Sequence, residues 1–156
     1  MTRVKYTDQR RQSRTAALQS LFAADLRGYW LNPGLEWLDE DEDEDLPESS
    51  VEFAEEILGG VCGNQPGLDD VITHYAPAWP VDQLSVIDRN ILRIALFELI
   101  YTPRTPRKTA INEAVELAKI FGSESSARFV NGVLGSAMSG LESGEITTIE
   151  PVSEGR

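Results

Sequence analysis

Three arginines near the start of the chain carry its clearest chemistry. Arg10, Arg11 and Arg14 fall within the short stretch RRQSR. A guanidinium presents five N–H donors in a planar fork that fits phosphate or carboxylate oxygens. Residues 1–14 hold five Lys or Arg against Asp8, a local balance of +4, while the whole chain carries −12 and the remaining 142 residues therefore −16. A basic arm on an acidic body is a polarised molecule, and the local field decides where an anion docks. The expected first helix runs from a cap at Thr7 or Asp8 to Leu26, with Leu18, Leu21, Phe22 and Leu26 as its apolar stripe. In that frame Arg10 and Arg14 are like charges at i,i+4, a pairing that costs about 0.2–0.5 kcal/mol. Cations in the first turns also oppose the helix dipole. Two explanations are open: the arginines serve an external anion, or they form a solvated basic end that pairs with the chain's own acids.

Other chemistry is poorly served. Cys62 and His74 are the single residues of their kinds, which leaves no internal disulfide and too few ligands for a zinc site. Cys62 lies beside glycines and is read as a structural thiol; His74 lacks a catalytic partner and is read as a surface or packing residue. No phosphate-binding glycine loop, nucleophile elbow, HExxH or CxxC occurs. Asp39 to Asp45 is seven consecutive acids, a self-repelling run without the alternating ligands and glycine of a calcium loop. We therefore expect no catalytic residue, no metal and no cofactor, and a function carried by surfaces. Without an apolar leader or a membrane-length apolar run, the chain is expected to be cytoplasmic.

The elements that must position the arginines read as helices throughout. After a connection at Gly28–Pro47, Ser49-x-x-Glu52 is a capping box opening a second helix through Phe53, Ile57, Leu58 and Val61. A third follows Pro66 and stops before Pro77. A single turn is expected at Pro80–Leu84, and Ser85-x-x-Asp88 opens a nearly all-apolar helix, Val86 to Tyr101, that belongs at the centre of a bundle. Arg93 inside it needs a carboxylate, with Glu113 or Glu116 as candidates. Pro103 and Pro106 stiffen a loop bearing a second basic cluster, Arg104, Arg107 and Lys108. Thr109 is then expected to cap a helix to Phe121, with Gly122 in a left-handed stop. Ser123 or Ser125 caps the last helix, whose apolar set is Phe129, Val130, Val133, Leu134, Ala137 and Met138. The stretch from about Gly140 to Arg156 is expected to fray. The fold class is all-α, with about seven helices.

Four ordered blocks carry a resemblance. NILRIALFEL (Asn90–Leu99), AINEAVELAKIFG (Ala110–Gly122) and RFVNGVL (Arg128–Leu134), with RRQSRTAALQSLF (Arg10–Phe22), resemble the NusB family of transcription antitermination factors. The likeness spans nearly the whole chain except the acidic insertion at about 39–48 and the tail. It implies a NusB-like helical domain over residues 1–140, built as two packed three-helix-type lobes, with a disordered tail at 141–156. It also implies binding to boxA RNA together with NusE, a small-subunit ribosomal protein. That pair joins other Nus factors on RNA polymerase and suppresses premature termination in ribosomal RNA operons.

Carried over to this sequence, the RNA surface implied is Arg10, Arg11, Arg14, Ser125, Ser126, Arg128 and Phe129. The NusE-facing residues implied are Phe22, Leu26 and Asp88. Arginines can meet phosphates, and an exposed Phe can stack a base of single-stranded RNA. Bland roles compete: core for Phe129, Phe22 and Leu26, and capping for Ser125, Ser126 and Asp88. Gln12 stands where the family often has arginine, and Ser125 where many relatives have an acid, so RNA binding is expected to be weak until NusE completes it. Two other readings remain open: a homodimeric or interaction module that covers its own basic arm, and the helical domain that accompanies some ribosomal RNA methyltransferases, although no methyltransferase region follows here.

Overall fold

The computed structural model describes residues 2–28, 47–102 and 104–149. The acidic run 39–45, the tryptophan-rich connection before it and residues 150–156 lie outside them. Six α-helices and no strand occur among the described residues, against the seven or so expected. They fall into two units, Met1–Gly63 with two of the described helices and Asn64–Arg156 with four.

In the first unit, α1 spans Thr2–Arg27 and α2 spans Glu48–Gly63. Helix α1 starts earlier than expected, so Thr7 and Asp8 are interior residues, not caps. Arg10, Arg11 and Arg14 thus lie beyond the first two turns, where the dipole penalty has faded. Leu18 and Leu21 are fully buried with Ala17, and α2 supplies Ala54, Ile57 and Val61 to the same core. Each large aliphatic side chain sealed there contributes about 2 kcal/mol. The expected capping box on α2 is not its start: Ser49 is already helical, and the Pro47 carbonyl accepts from Ser50 N–H at 2.9 Å and Val51 N–H at 3.0 Å. The hydroxyl of Ser13 ties the two helices by donating to the Ser50 carbonyl at 2.8 Å.

The second unit is built around α4 (Val86–Leu96), whose residues from Asn90 onward are all buried. It packs against α3 (Gln65–Tyr75), α5 (Arg107–Phe121) and α6 (Ser126–Ser143). Ser85 caps α4 as expected, accepting from Asp88 N–H at 3.0 Å. The helix then widens into a π-turn over Phe97–Tyr101, closed by Thr102 N–H to Phe97 O at 3.1 Å. The expected turn near Pro80 is a 3₁₀ turn, Val81–Gln83.

Arg93 is buried, as its apolar neighbours require, and it pairs with Asp69 of α3, a carboxylate that the sequence did not single out. The pair is bidentate, at 2.8 and 3.0 Å, with a third bond to Asn90 at 3.0 Å. Glu113, expected on the polar side of α5, is itself buried. Helix α5 starts at Arg107 after Pro106, so Thr109 is inside the helix and does not cap it.

Helix α6 runs past Met138 to Ser143 and stops at Gly144, whose φ of 82° is the left-handed geometry glycine supports. Within the stretch expected to fray, Glu145, Ile146 and Ile149 have partners. Glu145 accepts from Tyr75 at 3.1 Å and pairs with His74, and Ile149 N–H donates to Ile100 O at 2.7 Å. The hydrogen bonds from His74 and Tyr75 hold the Glu145 carboxyl below the usual carboxylate range. The composition of this segment is that of a loose tail; its backbone bond to the end of the central helix outweighs that.

Candidate nucleic-acid interface

Two groups of the expected RNA-binding residues form local sites, one in each unit. In the first, the i,i+4 spacing sets Arg10 and Arg14 on one face of α1. The Arg10 guanidinium carbon lies 3.8 Å from the centroid of the Phe53 ring on α2, and that of Arg14 lies 5.2 Å away. The negative face of an aromatic ring attracts a cation, by about 0.5–1 kcal/mol at an exposed site and about 2 when desolvated. One ring therefore offsets the repulsion that spacing along α1 alone leaves uncompensated. Arg14 is only 3% exposed, while Arg10 and Arg11 are half-buried, and all three have further interactions within the molecule. Arg14 is thus placed to fix the array, and Arg10 and Arg11 to meet solvent.

At the other end of α1, Leu26 is 62% exposed and Phe22 is half-buried. The spacing predicts Leu26 in the apolar stripe with Leu18 and Leu21. It instead faces water one turn beyond Phe22, which leaves an apolar step on the helix surface.

In the second unit, the turn between α5 and α6 gathers Ser123, Glu124, Ser125 and Arg128 around an open depression. Gly122 ends α5 with φ −89° and ψ −171°, extended rather than left-handed. Glycine is needed there for space: a Cβ would collide with the Ser126 side chain and come within 2.7 Å of the Ala118 carbonyl. Ser125 holds the cap position of α6 but its side chain makes no capping bond. Ser126 fastens the turn instead. Its oxygen accepts from Ser123 N–H at 2.8 Å and meets the Ser123 hydroxyl at 3.1 Å. Ser126 is 1% exposed, so its hydroxyl shapes the turn, while Ser125 and Arg128 reach solvent. Phe129 is neither sealed in the core nor fully exposed. The start of α6 brings free backbone N–H groups, which favour an anion, and Glu124 on the rim opposes one.

Asp88 at the start of α4 is half-buried. Its Oδ1 is buried without a hydrogen-bond partner among the described residues, so the return arm of the Ser85–Asp88 capping box is not made through that oxygen. Leaving such an oxygen unsatisfied costs free energy that a donor from outside would recover.

Sequence reasoning did not find Phe53 as the seat of the arginines or Ser126 as the fastener of the turn. The signal for the first was present in the i,i+4 arginine spacing, but only the register of α1 on α2 selects the ring. Among the described residues no cluster of His, Cys, Asp or Glu could hold a metal ion, and no helix is long and apolar enough to cross a membrane.

Comparison with known proteins places these features in a family. The model of the NusB family matches residues 11–139. The transcription antitermination protein NusB of Dehalococcoides mccartyi strain CBDB1 is 47% identical over 135 residues, 86% of this chain and 93% of that protein. The NusB protein of Chloroflexus aggregans is 45% identical over 140 residues, 88% of this chain and 92% of that one. Among solved structures, Thermotoga maritima NusB is 36% identical with a TM-score of 0.72, covering 88% of this chain and 97% of that chain. A chain from the crystal structure of the antitermination factors NusB and NusE in complex with dsRNA is 26% identical with a TM-score of 0.74, covering 85% and 97%. An all-helical fold, a basic first helix and a family match over most of its length lead to one conclusion: this chain belongs to the NusB family of transcription antitermination proteins.

Proposed function

We propose that this protein is a non-catalytic antitermination factor that binds boxA RNA together with NusE and joins the other Nus factors on RNA polymerase. The observation that carries the reading is the likeness, over 85% of this chain, to a chain solved with NusE and RNA. Local geometry supports it. Arg10, seated on Phe53, and its neighbour Arg11 supply cations, Ser125 and Arg128 line a depression at a helix start, and the half-buried Phe129 offers an aromatic ring for base stacking. Arg14 and Ser126 act behind them by holding the mount and the turn. Phe22 and the exposed Leu26 form the apolar step for NusE, and the orphaned Oδ1 of Asp88 accepts a donor from it. NusE is then needed for tight binding, because a small basic patch on a chain of −12 net charge attracts RNA weakly.

The test is a titration of boxA RNA against a scrambled RNA, with and without NusE, at several salt concentrations. Preference for boxA that strengthens with NusE is expected. Substituting Arg10 and Arg11 by Ala should flatten the salt slope by about 0.7 for each phosphate that is no longer neutralised. Equal weak binding to both RNAs, unmoved by NusE, would leave only a protein-interaction module.

A further inference from the structure

The turn between α4 and α5 carries the cationic cluster that the RNA surface above does not use. Arg104, Arg107 and Lys108 fall within five residues, on a chain of −12 net charge. Arg104 and Lys108 are exposed and Arg107 is half-buried. The turn is held from below. Thr105 is buried and donates to the buried Glu98 carboxylate at 3.1 Å, Arg104 N–H closes on the Thr102 carbonyl at 2.7 Å, and Pro106 fixes the entry to α5. The cations therefore stand on a pinned loop and present a defined array. Two of them, Arg107 and Lys108, occupy the first turn of α5, which contains no acidic residue. Cations there oppose the helix dipole, and the first N–H groups of α5 point the same way. An anion at this place would relieve both.

We infer that this turn is a second RNA-backbone contact, which holds phosphates of the strand flanking the segment bound at the α5–α6 turn. The inference rests on the RNA-binding reading given above. The two contacts sit at opposite ends of α5, whose 15 residues span about 22 Å. A stacked strand rises about 3.4 Å per nucleotide, so about six nucleotides of stacked strand separate the two contacts, fewer if the strand is stretched. The cluster then acts through phosphates alone: it lengthens the footprint and adds affinity without adding sequence preference.

The experiment compares two labelled RNAs by fluorescence anisotropy over a salt series. One is boxA alone, and the other is boxA flanked on each side by about ten uridines, more than the span of α5 requires. The proteins are the full chain and its Arg104→Gln/Arg107→Gln/Lys108→Gln variant, whose melting temperature and circular dichroism establish that it is folded. The unaltered chain should bind the flanked RNA roughly tenfold tighter, with a salt slope steeper by about two, as three backbone contacts predict. The variant should lose that gain and keep its affinity for boxA alone. An identical gain in the variant would overturn the proposal. So would an equal loss on both RNAs, which would place the cluster inside the short footprint. Unchanged RNA binding with weakened NusE assembly would assign the cluster to a protein surface instead, and also overturn it. Scrambled RNAs of both lengths separate this from the reading it rests on: absence of boxA preference sinks that reading, whereas absence of length dependence sinks this one.

Discussion

The two candidate contact sites of this protein solve opposite problems. On α1 the difficulty is too much like charge: Arg10 and Arg14 face the same way, and the ring of Phe53 on α2 gives both a seat. At the α5–α6 turn the difficulty is too little: Arg128 stands beside Glu124, and what remains is backbone N–H groups shaped by Gly122 and Ser126. The first site is thus sensitive to the packing of an aromatic side chain, and the second to the addition of a single methyl group within one turn. The RNA-contact role proposed for both does not imply a shared way of being built.

The contrast can be broken at Phe53. Phe53→Ala should cost about 3 kcal/mol or more, since it opens a cavity and removes the ring on which Arg10 and Arg14 rest; urea denaturation would measure it. Phe53→Leu keeps most of the burial, so about 1 kcal/mol is expected, together with weaker RNA binding through a displaced Arg10. RNA affinity unchanged in a folded Phe53→Leu protein would show that the ring does not seat the arginines.

Gly122→Ala probes the second site. The added methyl has nowhere to go, and overpacking of this kind costs about 1–3 kcal/mol. RNA binding should fall with it, because the start of α6 is displaced. A neutral substitution would show that the turn yields easily and is not a fixed mount.

Ser126→Ala and Ser125→Ala sharpen the same point with smaller effects. Losing the Ser126 oxygen orphans the Ser123 N–H and should cost about 1 kcal/mol, as loss of a cap does. Ser125→Ala should leave stability nearly unchanged and reduce RNA affinity only. The reverse order in thermal melts and binding would exchange the two roles assigned here.

The smallest effect is expected at Glu145. Its carboxyl titrates below the usual range because His74, and then Tyr75, hydrogen-bond to it. A lowered folded-state pKa adds stability above the unfolded pKa, and that increment is lost as pH falls through the folded value. Glu145→Gln should therefore melt slightly lower than the parent near neutral pH, with the two converging in acid. A gap that persists at low pH would mean that this contact is steric, not ionic.

Much of this was legible in the chain itself. Periodicity placed α3, α4 and α6 nearly where they lie, because a helix reports its buried face every three or four residues. The Ser85 cap is a local bond and was visible for the same reason. Helix starts were read less well, at Thr7, Ser49 and Thr109 alike, because a cap-like residue can equally sit inside a helix when the chain before it has no better conformation. Partner choice was not legible at all. Arg93 demanded a carboxylate, yet Asp69 lies 24 residues away on another helix, and only the packing of α3 on α4 brings the two together.

By itself, then, the sequence determined the helical class, the apolar faces, the basic arm on an acidic body and the blocks that mark the family, all of which depend on residues close together along the chain. Tertiary structure alone decided that Arg14 is sealed over Phe53 while Leu26 is bare, that Ser126 and not Ser125 fastens the α5–α6 turn, and that residues 145–149 bind back to α3 and to the π-turn that ends the central helix. Each of those outcomes depends on which surface meets which across a packed interface, and that information is not carried by spacing along one helix.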